Sequence, residues 1–352
     1  MAIKPTRPVP RGGPAPRRPG RYKTVPEDFV VEELPAYQPC GSGDHTWLWV
    51  EKRGLSTMDL LRELAQELRR DERSFGIAGL KDAQAISRQW VSIDGVDSSA
   101  CARLAQDRWS VLAVSRHGNK LRMGHLRGNR FVVTLRGTGP DAARDFAANL
   151  QDLAVRGVPN YFGEQRFGKR GANLQKGLEV LRGNARAIAQ RMPRRVFGLL
   201  ISAVQSEVFN KVVIARLAAL GELWAGDLAY LHRNGAVFAV ADPAAEAARL
   251  AAVEVSPSGP LPGPEMLAPS GAMLALEEAA LAEVGVSVAD FGRLPFRLGR
   301  GERRPLRVPV REVAVAEVAE GVQVAFALPS GAYATSVLRE LLDEAIWFGP
   351  GE

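Results

Sequence analysis

The run DHTWLWVEKRG, residues 44–54, gathers aromatic and β-branched side chains into a short stretch, which predicts a strand. A helix is predicted from Thr57, a residue type that caps helix starts, with Leu60, Leu61, Leu64 and Leu68 on one face. RQWVSI, 88–93, predicts a second strand. In NRFVVTLRG, 129–137, Phe131, Val133 and Leu135 alternate with polar or smaller residues, the period of a half-buried strand. A helix over 141–154 follows. The middle of the chain breaks this rhythm. GVPNYFGEQRFGKRGANLQKG, 157–177, predicts an irregular loop rich in glycine, arginine and aromatic rings. LLISAVQSEVFNKVVIARLAALG, 199–221, predicts a long helix stopped by Gly221. The five prolines of 256–271 predict loop. Past GRGERRPLRV, 299–308, alternation returns and places Val322, Val324, Phe326 and Leu328 on one face. TSVLRELLDEAIW, 335–347, predicts a closing helix whose Val337, Leu338, Leu341 and Leu342 face inward.

Helices and strands mix without a regular βαβ rhythm. The fold class expected is therefore α+β, a mostly antiparallel sheet with helices. Composition breaks near 156, and strands return near 305. Residues 1–21 hold six prolines, six basic residues and no acid; such a stretch buries no core and is expected to be disordered. Order is expected from Tyr22.

At 352 residues, with 46% hydrophobic and 24% charged residues, the chain has the length and balance of a globular protein of two domains. No uninterrupted apolar run approaches the ~18 residues of a membrane span, and the N-terminus lacks the apolar core of a signal peptide. Cys40 and Cys101 have no paired spacing, so a reducing cytoplasm is expected. The net charge of +7 favours a polyanionic partner, nucleic acid first. His45, His117, His125 and His232 never stand four apart, and neither CxxC nor HExxH occurs, so no metal site is predicted.

GEQRFGKR, 163–170, comes within one residue of a phosphate-binding P-loop, but Arg170 stands where a magnesium-binding hydroxyl is required. The segment before it, with Pro159, is a poor buried strand. The same loop suits RNA better, since guanidinium and aromatic groups together meet phosphates and splayed bases. Asn160, Arg166, Lys169 and Arg170 are its candidate RNA contacts. Phe29, Phe131 and Tyr333, taken singly, each fit a core. Asn129, beside Phe131, offers an amide able to donate to and accept from a base edge. GLKDAQAISRQW, 79–90, sets Lys81 beside Asp82 in a loop, a pair that on its own reads as a surface turn.

Together, AGLKD followed by RQW, then RGNRF, GVPNYFGEQRFG, SAVQSEVFN and PSGAYATSVLREL, resemble the motifs of the TruD family of pseudouridine synthases in order and spacing. The resemblance runs from about Phe29 to the last helix. It implies a discontinuous catalytic domain of the pseudouridine-synthase fold, 22–155 plus 306–352, interrupted by a family-specific α/β insertion, 156–305, and the breaks in composition near 156 and 305 agree with that plan. It implies conversion of uridine to pseudouridine in tRNA, at position 13 in bacterial members, with tRNA as the partner and no cofactor. It makes Asp82 the catalytic residue and Phe29, Lys81, Asn129, Phe131 and Tyr333 substrate contacts. Tyr333 departs from the phenylalanine of bacterial members but keeps a stacking face. The basic N-terminal extension also falls outside the family pattern.

The rearrangement needs neither a redox group nor a metal. A single carboxylate serves, either as a nucleophile or as a base removing the sugar 2′ proton. A monomer is expected. Two alternatives stand beside this reading: the same chemistry on another RNA, and an RNA-binding protein without catalysis.

Overall fold

The computed structural model describes residues 3–295 and 298–343. In chain order the strands begin with β1 (Phe29–Pro35), β2 (His45–Arg53), β3 (Phe75–Ile77), β4 (Ile86–Asp94) and β5 (Ala105–Gln106). There follow β6 (Trp109–His117), β7 (Leu126–Leu135), β8 (Val158–Pro159), β9 (Leu228–Leu231) and β10 (Val237–Ala239). The last five are β11 (Val255–Leu261), β12 (Glu302–Pro305), β13 (Arg307–Val308), β14 (Arg311–Val318) and β15 (Gly321–Pro329). The chain separates into two compact units. Among the described residues, a sheet unit comprises Pro14–Gln151, Val310–Ala334 and 341–343, and a helical unit comprises 3–13, Asp152–Pro309 and Thr335–Glu340.

The sheet unit is built on one nine-stranded sheet in the order β14-β15-β7-β1-β4-β2-β6-β5, with β3 added against β4. All its pairs are antiparallel except β1 with β4. Successive side chains of a strand point to opposite faces. Register therefore decides which residues share a face: Phe29, Val31 and Glu33 of β1 stand opposite Val133, Phe131 and Asn129 of β7. Phe326 and Leu328 of β15 stand opposite the same Phe131 and Asn129 from the other side. The helix Thr57–Glu67 lays Leu60, Leu61 and Leu64 against Leu48, Val50, Val91 and Ile93. Each such side chain contributes about 1.5–3 kcal/mol when fully buried. Ser56, not Thr57, caps this helix, its hydroxyl accepting from the Asp59 amide at 3.1 Å.

In the helical unit the helix Arg194–Ala215 is the spine. It is long and apolar enough to cross a membrane by length and composition alone, yet 67% of its apolar window is buried inside the protein. The helix Ala172–Arg182 approaches it so closely that a Cβ on Gly177 would lie 2.3 Å from the Leu200 carbonyl oxygen. A four-stranded sheet, β10-β9-β11-β12, and the pair β13-β8 complete the unit.

Several expectations are corrected. Residues 3–21 are placed, not disordered, because their backbone N–H groups meet side-chain acceptors. Thr6 donates to Glu207 at 2.9 Å, Arg11 to Glu340 at 2.9 Å and Ala15 to Asn149 at 3.1 Å. The proline-rich run is partly strand, because β11 changes neighbours midway: Val255–Pro257 pair with β9, and Ser258–Leu261 with β12. The long helix ends at Ala215, well before Gly221, where buried Arg216 turns back to the Asp227 carboxylate at 3.0 Å. The last six residues of the loop expected at 157–177 are helical. The closing helix is Ala334–Leu341, and 344–347 of the predicted one lie outside the described residues.

Candidate active site

The loop 78–85 joins β3 to β4, and polar side chains fix its backbone from two sides. The Lys81 amide donates to the Thr57 hydroxyl at 2.8 Å. That hydroxyl donates to Gln89 at 3.0 Å, and the Gln89 amide returns to the Gly79 carbonyl at 3.4 Å. From the other side Lys52, fully buried on β2, donates to the carbonyls of Asp82 at 2.8 Å and Leu55 at 2.6 Å. Burial pulls the Lys52 ammonium down to about 8; the Asp82 charge opposes this and the Lys81 charge adds to it.

With its backbone held, Asp82 turns a side chain that is 39% exposed toward solvent. One oxygen accepts from the Gln84 amide at 3.1 Å, and the other forms a close ion pair with the Lys23 ammonium. Burial pushes this carboxyl up. The Lys23 hydrogen bond and charge, the Gln84 amide and the Lys52 charge outweigh it, so the group stays below the usual carboxylate range. Lys23 also stands 4.3 Å from the centre of the Phe29 ring, a cation–π contact. Its backbone is left-handed, with φ of 59°, uncommon for a residue with a side chain.

Lys81 points away from this solvent face. Its ammonium, 3% exposed, lies 2.9 Å from the Glu33 carboxylate and 2.8 Å from the Asn129 amide oxygen. Burial raises the Glu33 carboxyl against the pull of Lys81. A direct substrate contact expected of Lys81 is therefore replaced by a buried support for Asn129. Phe29 and Phe131 are buried as well, their ring centres 6.0 Å apart, and Phe131 stacks on Phe326 at 5.5 Å. They form an aromatic floor, not open stacking faces. Tyr333 is half-buried just before the helix Ala334–Leu341. It follows the end of β15, whose Leu328 is paired with Asn129.

The candidate RNA contacts belong to the helical unit and divide. Asn160 is buried and spends both amide ends internally, donating to the Pro305 carbonyl at 2.9 Å and accepting from Arg304 at 2.6 Å. Arg166 is half-buried, donating to Ser202 at 2.9 Å and lying over Phe162. Lys169 and Arg170 are exposed. Among the described residues no three His, Cys, Asp or Glu side chains gather as a metal would require.

Sequence reasoning missed Lys23, Glu33 and Lys52. Glu33 and Lys52 carried a signal, because each is a charge on the apolar phase of an alternating strand. Lys23 carried none.

A fixed backbone, one exposed carboxylate held below its usual range by a cation, and the Asn129 amide held by the adjacent residue Lys81 suit chemistry on a small planar group brought out to the loop. The carboxylate can attack carbon or take a proton, and Asn129 can hold the group in register.

The family model described as tRNA pseudouridine synthase D (TruD) matches residues 15–192 and 185–341. A tRNA pseudouridine synthase D of Anaeromyxobacter sp. (strain Fw109-5) is 44% identical, over 92% of this chain and 92% of its own. One of Geobacter metallireducens is 39% identical, over 92% of this chain and 95% of its own. The fold is similar to a crystal structure from Methanosarcina mazei assigned as tRNA pseudouridine synthase D (TruD), with a TM-score of 0.78 at 22% identity over 95% of each chain.

Proposed function

The chain belongs to the tRNA pseudouridine synthase D (TruD) family and isomerises uridine in tRNA, and from that premise we propose that Asp82 is its catalytic group. The target uridine leaves its stack to reach the loop, as any base must for chemistry on its ring or glycosidic bond. The C1′–N1 bond breaks, the base turns, and a C1′–C5 bond forms. C5 loses its proton and N1 gains one, so the reaction balances as an isomerisation, and purified protein and tRNA suffice. Asp82 supplies either the attack or the proton removal that opens this sequence. Lys23 keeps it ionised. The sheet unit is the discontinuous catalytic domain and the helical unit the insertion. Position 13 is the tRNA site we propose.

The observation that carries this reading is the setting of Asp82: backbone locked by Lys52 and Thr57, side chain exposed, charge held by Lys23. Asp82→Asn should abolish product in a single-turnover assay with tRNA transcript while binding persists. Substantial turnover by that variant sinks the assignment. Mapping pseudouridine in cellular tRNA with and without the protein checks position 13; an unchanged map there rejects it.

A further inference from the structure

We infer that Lys81 is a positioning residue that fixes Asn129 as a hydrogen-bond donor to the target base, so that the site takes uracil and rejects cytosine. This rests on the functional reading above. An ammonium carries three N–H groups and no lone pair. The amide end 2.8 Å from the Lys81 Nζ is therefore the oxygen, and the opposite flip would set N–H against N–H. Lys81 has little freedom to move aside. Its ammonium is paired with Glu33 at 2.9 Å, and the two side chains are 3% and 0% exposed. Its backbone is tied to Thr57. Asn129 is half-buried, and with its oxygen engaged it offers the Nδ2 hydrogens.

The polarity matters for a base that must turn. Uracil has two carbonyls flanking N3–H. Rotation by half a turn about the N3–C6 axis puts C5 where N1 was and exchanges O2 with O4. A donor directed at O4 of the unturned base meets a carbonyl both before and after the turn. Cytosine has a carbonyl on one side and an amino group on the other. As the unturned base enters, the fixed donor meets that amino group in the place of O4, an N–H against N–H contact that is costly when desolvated. An Asn129 free to flip would accommodate either base.

The test uses three otherwise identical tRNA transcripts carrying uridine, cytidine or no base at the target position. Affinities are measured in an Asp82→Asn background, where no turnover occurs. The gain of uridine over the abasic RNA, relative to the gain of cytidine, reports discrimination at the pocket alone. Removing the buried pair together, Glu33→Gln with Lys81→Met, leaves no unpaired charge, and discrimination should fall about tenfold, the worth of one well-made hydrogen bond. Asn129→Asp, which keeps an oxygen toward Lys81 and turns a second acceptor to the base, should reverse the preference toward cytidine even if the double variant fails to fold. A merely structural role for Lys81 would weaken all three RNAs alike. An unchanged ratio in the double variant, or a retained uridine preference in Asn129→Asp, overturns the inference. Wild-type protein that makes no pseudouridine in the uridine transcript fails the functional reading instead, a distinct result.

Discussion

Asp82 in the sheet unit and Glu207 in the helical unit both take hydrogen bonds from the N-terminal stretch of the chain, and the two carboxylates respond in opposite ways. Glu207 is buried and accepts from the Thr6 amide and hydroxyl. Burial raises it, and these bonds with the Lys211 charge do not bring it back. Asp82 stays 39% exposed, has Lys23 in direct contact, and is lowered. The number of bonds does not separate the two. A paired cation at the edge of solvent does, because it favours the charged form without the full cost of burying it. One carboxylate is a fastening point, and the other is the one proposed as the reagent.

The largest effect that sharpens this contrast is in the chemical step. Asp82→Asn should lower the single-turnover rate by at least ~10²–10⁴-fold, the range of a lost acid–base group. Glu207→Gln, which keeps an oxygen for Thr6, should leave that rate unchanged at saturating enzyme. A matching loss in both variants would break the comparison.

Next comes the pH profile. Because Asp82 is lowered in the folded protein, its ion pair is present above the ordinary carboxylate value near 4 and is lost as pH falls through the lower, folded value. Activity should therefore hold on mild acidification. Lys23→Met removes the cation, and the acid limb of the rate should move to higher pH. A limb that stays in place would mean that Lys23 is not what holds the charge. Glu207 has the opposite sign: its ionised form costs stability, and that cost is relieved as pH falls through its raised value.

Charge outside the sheet unit should act through RNA affinity alone. Replacing exposed Lys169 and Arg170 with alanine should flatten the log–log dependence of affinity on salt by roughly 1–2, with the saturated rate preserved. A slope that does not change would return this loop to solvent. The smallest effect belongs to Tyr333→Phe, which keeps the ring and should be nearly silent. Tyr333→Ala should lose about 1–3 kcal/mol of stacking. Equal damage from both, read as single-turnover rates, would give the hydroxyl a chemical role.

What the sequence disclosed followed from period and what it hid followed from distance. Val322, Val324, Phe326 and Leu328 all lie buried on one face as alternation requires. Asp82 and Asn129 were found through motif resemblance, and Glu33 was legible as a charge four residues after Phe29 on the same strand face. Lys23 was hidden because nothing beside it in the chain marks it and its partner stands 59 residues on. The internal partners of Asn160 were hidden for a similar reason. Its loop looks solvated, but Pro305, 145 residues later, takes its amide. Pro257 and Pro260 looked like loop because local rules do not see that their strand exchanges neighbours.

Strand β15 arrives late. It borders Asn129 through Leu328, yet residues 136–320 must be synthesised between the end of β7 and its own start. At about 5–20 residues per second that is a delay of roughly 10–40 s, during which β7 lacks its neighbour on that side. On the ribosome, the edge of β7 beside Asn129 is open, and nascent chains have loop 78–85 already made while the strand beside Asn129 is not. Asn129 thus gains its neighbour on that side only when the last strand emerges from the exit tunnel.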